Sequence, residues 1–111
     1  MLGKLLIYQK TYDLLLLLYP IINRIPKSHR QVLGKYLEEF CLLILILIIK
    51  ANKAKNFKRR ELQEQISDEL DCLRILVRLT KDLRFMSIKQ YTQVAEKINE
   101  IGRILTGWMK V

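Results

Sequence analysis

The chain has 111 residues, of which 50% are hydrophobic and 28% are charged. This composition is typical of a folded protein with its own core, and it excludes a disordered tail and a protein that resides in a membrane. The length predicts a single domain over residues 1–111. Lysine and arginine together number 20 against 11 acidic residues, and the net charge of +9 favours an anionic partner.

The first predicted helix spans residues 5–24 and contains Pro20, which removes one backbone hydrogen-bond donor and predicts a kink. The apolar start of this segment has some features of a secretory signal. However, Asp13 and Pro20 interrupt the apolar stretch, and Asn23 and Arg24 stand where a signal needs small residues before its cleavage site. The sequence therefore predicts a cytoplasmic protein.

The second predicted helix spans residues 28–53 and begins at Ser28, which has the spacing of a capping box with Gln31. Its residues 40–49 form an uninterrupted apolar run that ends at Lys50. This run is about half as long as the roughly 20 residues that a membrane-spanning helix needs. It is also apolar on every side, whereas a bundle helix buries only about three residues in seven. The apolar side chains that the bundle does not bury then form an interface between subunits, and we predict a homo-oligomer. The alternative is that long neighbouring side chains cover them within one subunit.

The third and fourth predicted helices span residues 58–83 and 88–109. Ser87 and Gln90 have the capping-box spacing at the start of the fourth helix. Gly102 lies on the apolar seam of that helix, which predicts a close approach of a neighbouring helix. Because short connections make successive helices antiparallel, the predicted fold is all-α, an up-down-up-down four-helix bundle.

The sequence carries no pattern that indicates catalysis or metal binding. Cys41 and Cys72 lack metal-ligand spacing and fall within apolar helical patterns, so we predict that both are reduced thiols in the core. His29 is the only histidine, and no nucleophile or carboxylate pattern accompanies it. A glycine-rich phosphate loop is also missing. The sequence predicts a binding protein that is not an enzyme and needs no cofactor.

The positive charge is concentrated at both ends of the predicted bundle. The segment KANKAKNFKRR, residues 50–60, contains six basic residues and no acidic residue. The predicted topology places it at one end, beside Lys4 and Lys110. The opposite end gathers a second basic group from two other turns: Arg24, Lys27, His29, Arg30, Lys81, Arg84 and Lys89. Both ends of the molecule are therefore predicted to be positive.

Arg74, Arg78 and Lys81 are spaced by four and three residues, so they share one face of the third helix. The alternative is an ordinary solvated face in which Asp71 and Asp82 pair with them. Phosphate backbones are the usual partner of so basic a surface, and no pattern indicates base-specific recognition or a membrane-binding helix. The candidate contacts with nucleic acid or a protein partner are Arg74, Arg78, Lys81, Arg84, Lys53, Lys55, Lys58, Arg59, Arg60, Lys27 and Arg30.

Three motifs resemble a known family. They are SHR-x-x-LG at residues 28–34, R-x-x-KDL at residues 78–83 and IGR-x-L-x-GW at residues 101–108. The sequence around them, over residues 12–110, resembles the accessory variability determinant proteins of diversity-generating retroelements. These proteins are part of a wider four-helix-bundle family that includes proteins encoded in ribosomal RNA intervening sequences.

The resemblance implies a small basic protein that assembles as a ring-like homopentamer and binds RNA or DNA with little sequence preference. It also implies a partnership with the element's reverse transcriptase during synthesis of mutated complementary DNA. Two alternatives stay open. One is an intervening-sequence-type protein of the same fold with an unknown role, and the other is a structural oligomer that binds only a protein partner.

Overall fold

The computed structural model describes residues 2–111 of the chain, with side chains from residue 6 onward. This part is helical and contains no strand. The elements are α1 (Leu2–Arg24), α2 (Lys27–His29), a π-helical segment (Arg30–Gly34), α3 (Lys35–Lys53), α4 (Asn56–Asp82) and α5 (Ile88–Met109). The prediction of an all-helical fold with four long helices is confirmed.

The four long helices pack around one apolar core. Helix α1 lies beside α3 and α5, and α4 lies beside the same two helices. Helices α4 and α5 run antiparallel, because α5 residues contact α4 in reverse order: Arg60 contacts Met109, and Arg74 contacts Asn99. The core is lined by side chains that are almost fully buried, among them Leu14, Leu18, Ile44, Ile48, Leu73, Val77, Ile98 and Ile101.

Helix α1 continues through Pro20 to Arg24. A proline inside a helix leaves the carbonyl four residues earlier without its usual amide donor, and that carbonyl belongs to Leu16. Leu16 is exposed on the surface of the subunit.

The capping box predicted at Ser28 and Gln31 is wrong. The helix begins one residue earlier, at Lys27, with Pro26 at the N-cap position and no side-chain cap hydrogen bond. The carbonyl of Pro26 accepts from the amides of His29 and Arg30, both at 2.9 Å. Ser28 therefore lies inside the first turn instead of at the cap.

The second predicted capping box is confirmed at the start of α5. The Gln90 amide donates to Ser87 Oγ at 3.0 Å, and the Ser87 amide donates to Gln90 Oε1 at 2.9 Å. Both side chains thus satisfy amides that have no partner within the helix. This cap fixes the residue at which α5 begins.

The two cysteines have different environments. Cys41 is fully buried in α3, and burial together with the nearby Glu38 carboxylate raises the pKa of its thiol to about 12. Cys72 is exposed on α4, so the prediction that it lies in the core is wrong. Its neighbours Leu70 and Leu73 take the core positions of that turn, and Cys72 lies on the outer side of the helix.

Candidate nucleic-acid interface

Two contacts establish which turns meet at each end of the bundle. The His29 ring lies 5.0 Å from the Phe85 ring, so the turn after α1 and the turn after α4 share one end. Arg60 Nη1 donates to the carbonyl oxygen of Met109 at 2.8 Å, so the turn between α3 and α4 lies beside the end of α5. The two basic groups therefore lie at opposite ends, as predicted, along a molecule 43 Å in length.

Arg59 is occupied in closing the end of α3. Its Nε donates to the carbonyl oxygens of Ala51 at 3.1 Å and Ala54 at 2.9 Å, and its Nη2 reaches the carbonyl oxygen of Asn52 at 3.4 Å. These carbonyls lie at the end of the helix, where no further amide is available to them. The guanidinium thus caps α3 and is half-buried, so it is not a free charge.

Two further cations of this end have partners. Lys58 Nζ lies 3.0 Å from Glu61 Oε1, and Arg60 lies 3.5 Å from Glu64 while it also contacts the end of α5. By contrast, the exposed lysines of the α3–α4 turn make no ion pair or hydrogen bond with any side chain that the structure describes; they are Lys50, Lys53 and Lys55. The Lys4 side chain lies outside the described residues.

The three cations predicted on one face of α4 each have an acidic neighbour. Arg74 lies 2.6 Å from Asp71, Arg78 lies 3.8 Å from Asp82, and Lys81 lies 3.2 Å from Asp82. Exposed ion pairs of this kind contribute at most about 1 kcal/mol each. Three cations share two carboxylates, so the face keeps a net positive charge.

Arg74 is also part of the contact between α4 and α5. Its Nε lies 3.4 Å from Asn99 Oδ1, and a Cβ placed on Gly102 would lie 2.9 Å from its Nη2. The Arg74 guanidinium of the neighbouring helix α4 therefore occupies the space beside Gly102. Arg74 lies in a groove of about 490 Å³ that is also lined by Arg103.

The opposite end has both paired and unpaired cations. Arg30 Nη1 donates to the carbonyl oxygen of Asn23 at 3.1 Å, and so it ties the π-helical segment to the end of α1. Lys81 lies over the Tyr91 ring at 4.7 Å. Lys27 and Arg84 are exposed, and the described residues include no carboxylate within ion-pair distance of either. Arg84 also has a positive φ of 66°.

An exposed apolar surface runs along the junction of α1 and α3. Tyr19 of α1 lies close to the Glu38 carboxylate, so it is next to α3. Desolvation, followed by the effect of this carboxylate, raises the pKa of the Tyr19 hydroxyl. Leu42 follows Glu38 by one turn and lies on the same flank. We define the α1–α3 apolar face by its exposed side chains: Tyr8, Tyr12, Leu16, Tyr19, Leu42, Ile46 and Ile49.

A second apolar surface follows the other flank of α3. Tyr36 is two residues from Glu38, so it lies about 200° around the helix, on the side of α4. Lys81 of α4 faces α5, because it lies over the Tyr91 ring. Leu79 and Leu83 are each two residues from Lys81, so they point to the opposite side of α4, which is the side of α3. We define the α3–α4 apolar face by its exposed side chains: Val32, Tyr36, Leu43, Ile75, Leu79 and Leu83.

Phe57 is an exposed aromatic residue that was not among the contacts predicted from the sequence. It lies in the first turn of α4, and 80% of its surface is exposed. The signal was present in the sequence, because Phe57 stands among the six basic residues of the segment 50–60. The segment therefore combines positive charge with an accessible aromatic ring.

Among the residues described, no cluster of histidine, cysteine, aspartate and glutamate side chains has an arrangement that could hold a metal ion. In the same part of the chain, no helix is both long and apolar enough to span a membrane. The positions available for contacts are thus the cationic ends, the α4 cations and the two apolar faces.

The described residues thus form a small all-helical protein of four packed long helices, with cationic ends and exposed apolar flanks. A family model described as bAvd-like matches residues 5–111, and the chain belongs to this family. This confirms the resemblance to accessory variability determinant proteins. The family is one of accessory, non-catalytic proteins. No curated protein matches the sequence.

Proposed function

We propose that this chain is a cytoplasmic, non-catalytic accessory protein of a diversity-generating retroelement. It binds RNA or DNA with little sequence preference and associates with the reverse transcriptase, which supports synthesis of mutated complementary DNA. Membership of the bAvd-like family supports the assignment to a retroelement. The observation that carries nucleic-acid binding is a group of exposed cations at the two ends of the bundle that have no carboxylate partner among the described residues. They include Lys27, Lys50, Lys53, Lys55 and Arg84.

The protein acts as a homo-oligomer in this proposal. The α1–α3 and α3–α4 apolar faces lie on two flanks of the same helix, and side chains such as Ile46 and Leu79 are exposed on a single subunit. Contiguous apolar surfaces of this kind mark interfaces. Because the two faces differ, pairing one face with the other on the next subunit generates a ring when the rotation closes. The family resemblance adds the number of five subunits.

The reverse transcriptase is the proposed protein partner. We expect the purified protein to retain the reverse transcriptase in a pull-down after nuclease treatment, because part of the contact is direct. Loss of all association after nuclease treatment would mean that nucleic acid alone joins the two proteins. A variant of the chain that no longer binds nucleic acid serves as the matched control for the direct contact.

Nucleic-acid binding is tested by its salt dependence. Replacing Arg78 with Ala should make the slope of log affinity against log salt shallower by about 0.9 on duplexes or about 0.7 on single strands, because one phosphate contact is lost. Arg78 is suited to this test because its side chain is 69% exposed. Affinity should fall similarly for all base sequences, measured by fluorescence anisotropy at several salt concentrations.

The matched control is Lys97→Ala, which removes the same charge from the middle of α5, where Lys97 lies 4.0 Å from Glu100. This variant should keep the wild-type slope. An Arg78→Ala protein with unchanged affinity and slope would exclude Arg78 as a phosphate contact. A wild-type protein that binds neither RNA nor DNA at low salt would refute the nucleic-acid proposal and leave binding to a protein partner.

A further inference from the structure

Phe57 lies in the most basic segment of the chain and remains outside the core. It belongs to the first turn of α4, and the nearest lysines in sequence are Lys55 and Lys58. Lys50 and Lys53 lie in the last turn of α3, directly before the connection. No acidic residue occurs between residues 50 and 60. The ring therefore projects from a surface that carries only positive formal charges in its own segment.

The turn that carries Phe57 is held in place by Arg59. Ala54 and Lys55 are extended, and Asn56 has a φ of 52°, a left-handed conformation that asparagine tolerates better than most residues. Arg59 then binds the carbonyl oxygens of Ala51 and Ala54 and joins the first turn of α4 to the end of α3. Phe57 is thus fixed on a folded turn while its ring stays accessible.

The chemistry of this site fits an unpaired nucleotide. Single-stranded nucleic acid is bound by aromatic rings that stack on bases and by cations that follow the phosphate backbone. Both features occur together here: Phe57 supplies an exposed ring, and Lys53 and Lys55 supply the cations. Neither lysine has a carboxylate partner among the described side chains. The alternative partner is a hydrophobic pocket on another protein. Such a pocket would accept the Phe57 ring but would supply no negative charge to Lys53 and Lys55. The charge of the segment therefore favours nucleic acid.

We propose that Phe57 stacks on an unpaired nucleobase while Lys53 and Lys55 contact the adjoining phosphates. This inference rests on the proposed nucleic-acid binding function and specifies part of it, because it makes one end of the bundle selective for single-stranded segments. The base pairs inside a duplex are already stacked on each other and offer the ring no free face.

The test compares variants at position 57 on a labelled single-stranded RNA, a single-stranded DNA of the same sequence and a blunt duplex. Phe57→Ala should weaken single-strand binding about 5- to 150-fold, which corresponds to about 1–3 kcal/mol for one stacked base. Duplex affinity and the salt slope should stay unchanged, because the ring displaces no counterion. Phe57→Trp should retain single-strand binding, since it keeps a flat aromatic surface.

Phe57→Leu separates stacking from insertion into an apolar pocket, because leucine is hydrophobic but has no flat ring. It should behave like Phe57→Ala towards single strands. Ile88→Ala is the matched control, since Ile88 is 77% exposed at the opposite end, and it should bind as the wild type does. Circular dichroism of every variant checks that the fold is retained.

The outcomes distinguish this inference from the proposed function. If the wild type binds both single strands and Phe57→Ala binds them equally well, stacking is refuted while nucleic-acid binding stands. If Phe57→Ala and Phe57→Leu lose binding to the reverse transcriptase but keep full oligonucleotide affinity, the ring docks on protein and the inference is wrong. If the wild type binds no nucleic acid, the proposed function fails first.

Discussion

Ile46→Lys is expected to convert the assembly into folded monomers. Ile46 is 48% exposed and belongs to the α1–α3 apolar face. It lies at the outer edge of that face, next to the α3–α4 apolar face, so a charge there is buried in any interface that uses either face. The expected loss of affinity between subunits is about 30- to 1000-fold, which is typical of a central interface residue. Light scattering after size exclusion measures the result against the subunit mass of 13.2 kDa.

The matched control is Gln93→Lys, which introduces the same charge on the exposed surface of α5, away from both apolar faces. This variant should keep the wild-type mass, which is several times that of the subunit and is five times that mass for the pentamer that the family resemblance implies. A wild-type protein that is monomeric at micromolar concentration would refute the oligomer. So would an Ile46→Lys variant that keeps the full mass.

Arg59→Ala is expected to lower the free energy of unfolding by about 2 kcal/mol. The substitution removes hydrogen bonds from a charged group to the carbonyls of Ala51 and Ala54 and leaves the end of α3 uncapped. Urea denaturation followed by circular dichroism measures the change. The protein concentration must be the same for all variants, because subunit association contributes to the stability of an oligomer.

Lys55→Ala provides the comparison, since it removes an exposed positive charge from the same turn. We expect it to change the free energy of unfolding by less than about 0.5 kcal/mol, as is usual for surface substitutions, while it weakens nucleic-acid binding. Equal stability of the Arg59→Ala and Lys55→Ala proteins would contradict the capping role. The pair therefore separates a cation that supports the fold from one that is available to a ligand.

The helices could be predicted from the sequence because they are long and strongly periodic. The start of α5 was also predictable, because Ser87 and Gln90 satisfy each other's backbone amides locally. The same pattern failed at Ser28. There the preceding Pro26 supplies the carbonyl that accepts the first helical bonds, and this shifts the start by one residue. A capping-box pattern therefore predicts a helix start only when no neighbouring backbone carbonyl accepts the hydrogen bonds of the first helical amides.

The positive charge of the candidate site could be predicted from the sequence, but the contacts of its individual cations could not. The sequence shows that residues 50–60 are basic, but it does not show that Arg59 binds the end of α3 while Lys53 and Lys55 stay unpaired. That difference depends on which carbonyls the fold brings within reach. Likewise, Gly102 indicated a close contact, yet the group that occupies the space is the Arg74 guanidinium of another helix.

The surplus of apolar side chains was predictable from composition, but its division into two surfaces was not. Leu42 and Leu43 are adjacent in sequence and both are exposed, yet they lie about 100° apart around α3. One therefore belongs to the flank beside α1 and the other to the flank beside α4. Only the packing of the neighbouring helices determines which flank each residue joins.

Under the proposed function, the distance between the two basic ends sets the shortest duplex that one subunit can contact at both ends. The long dimension of one subunit is 43 Å. Because successive base pairs of duplex DNA are about 3.4 Å apart, a DNA duplex aligned with the helices must have about 13 base pairs to reach from one end to the other. A shorter duplex contacts a single end of a subunit. Under the proposed function, the length of the duplex, and not its base sequence, decides whether one group of cations or both are engaged.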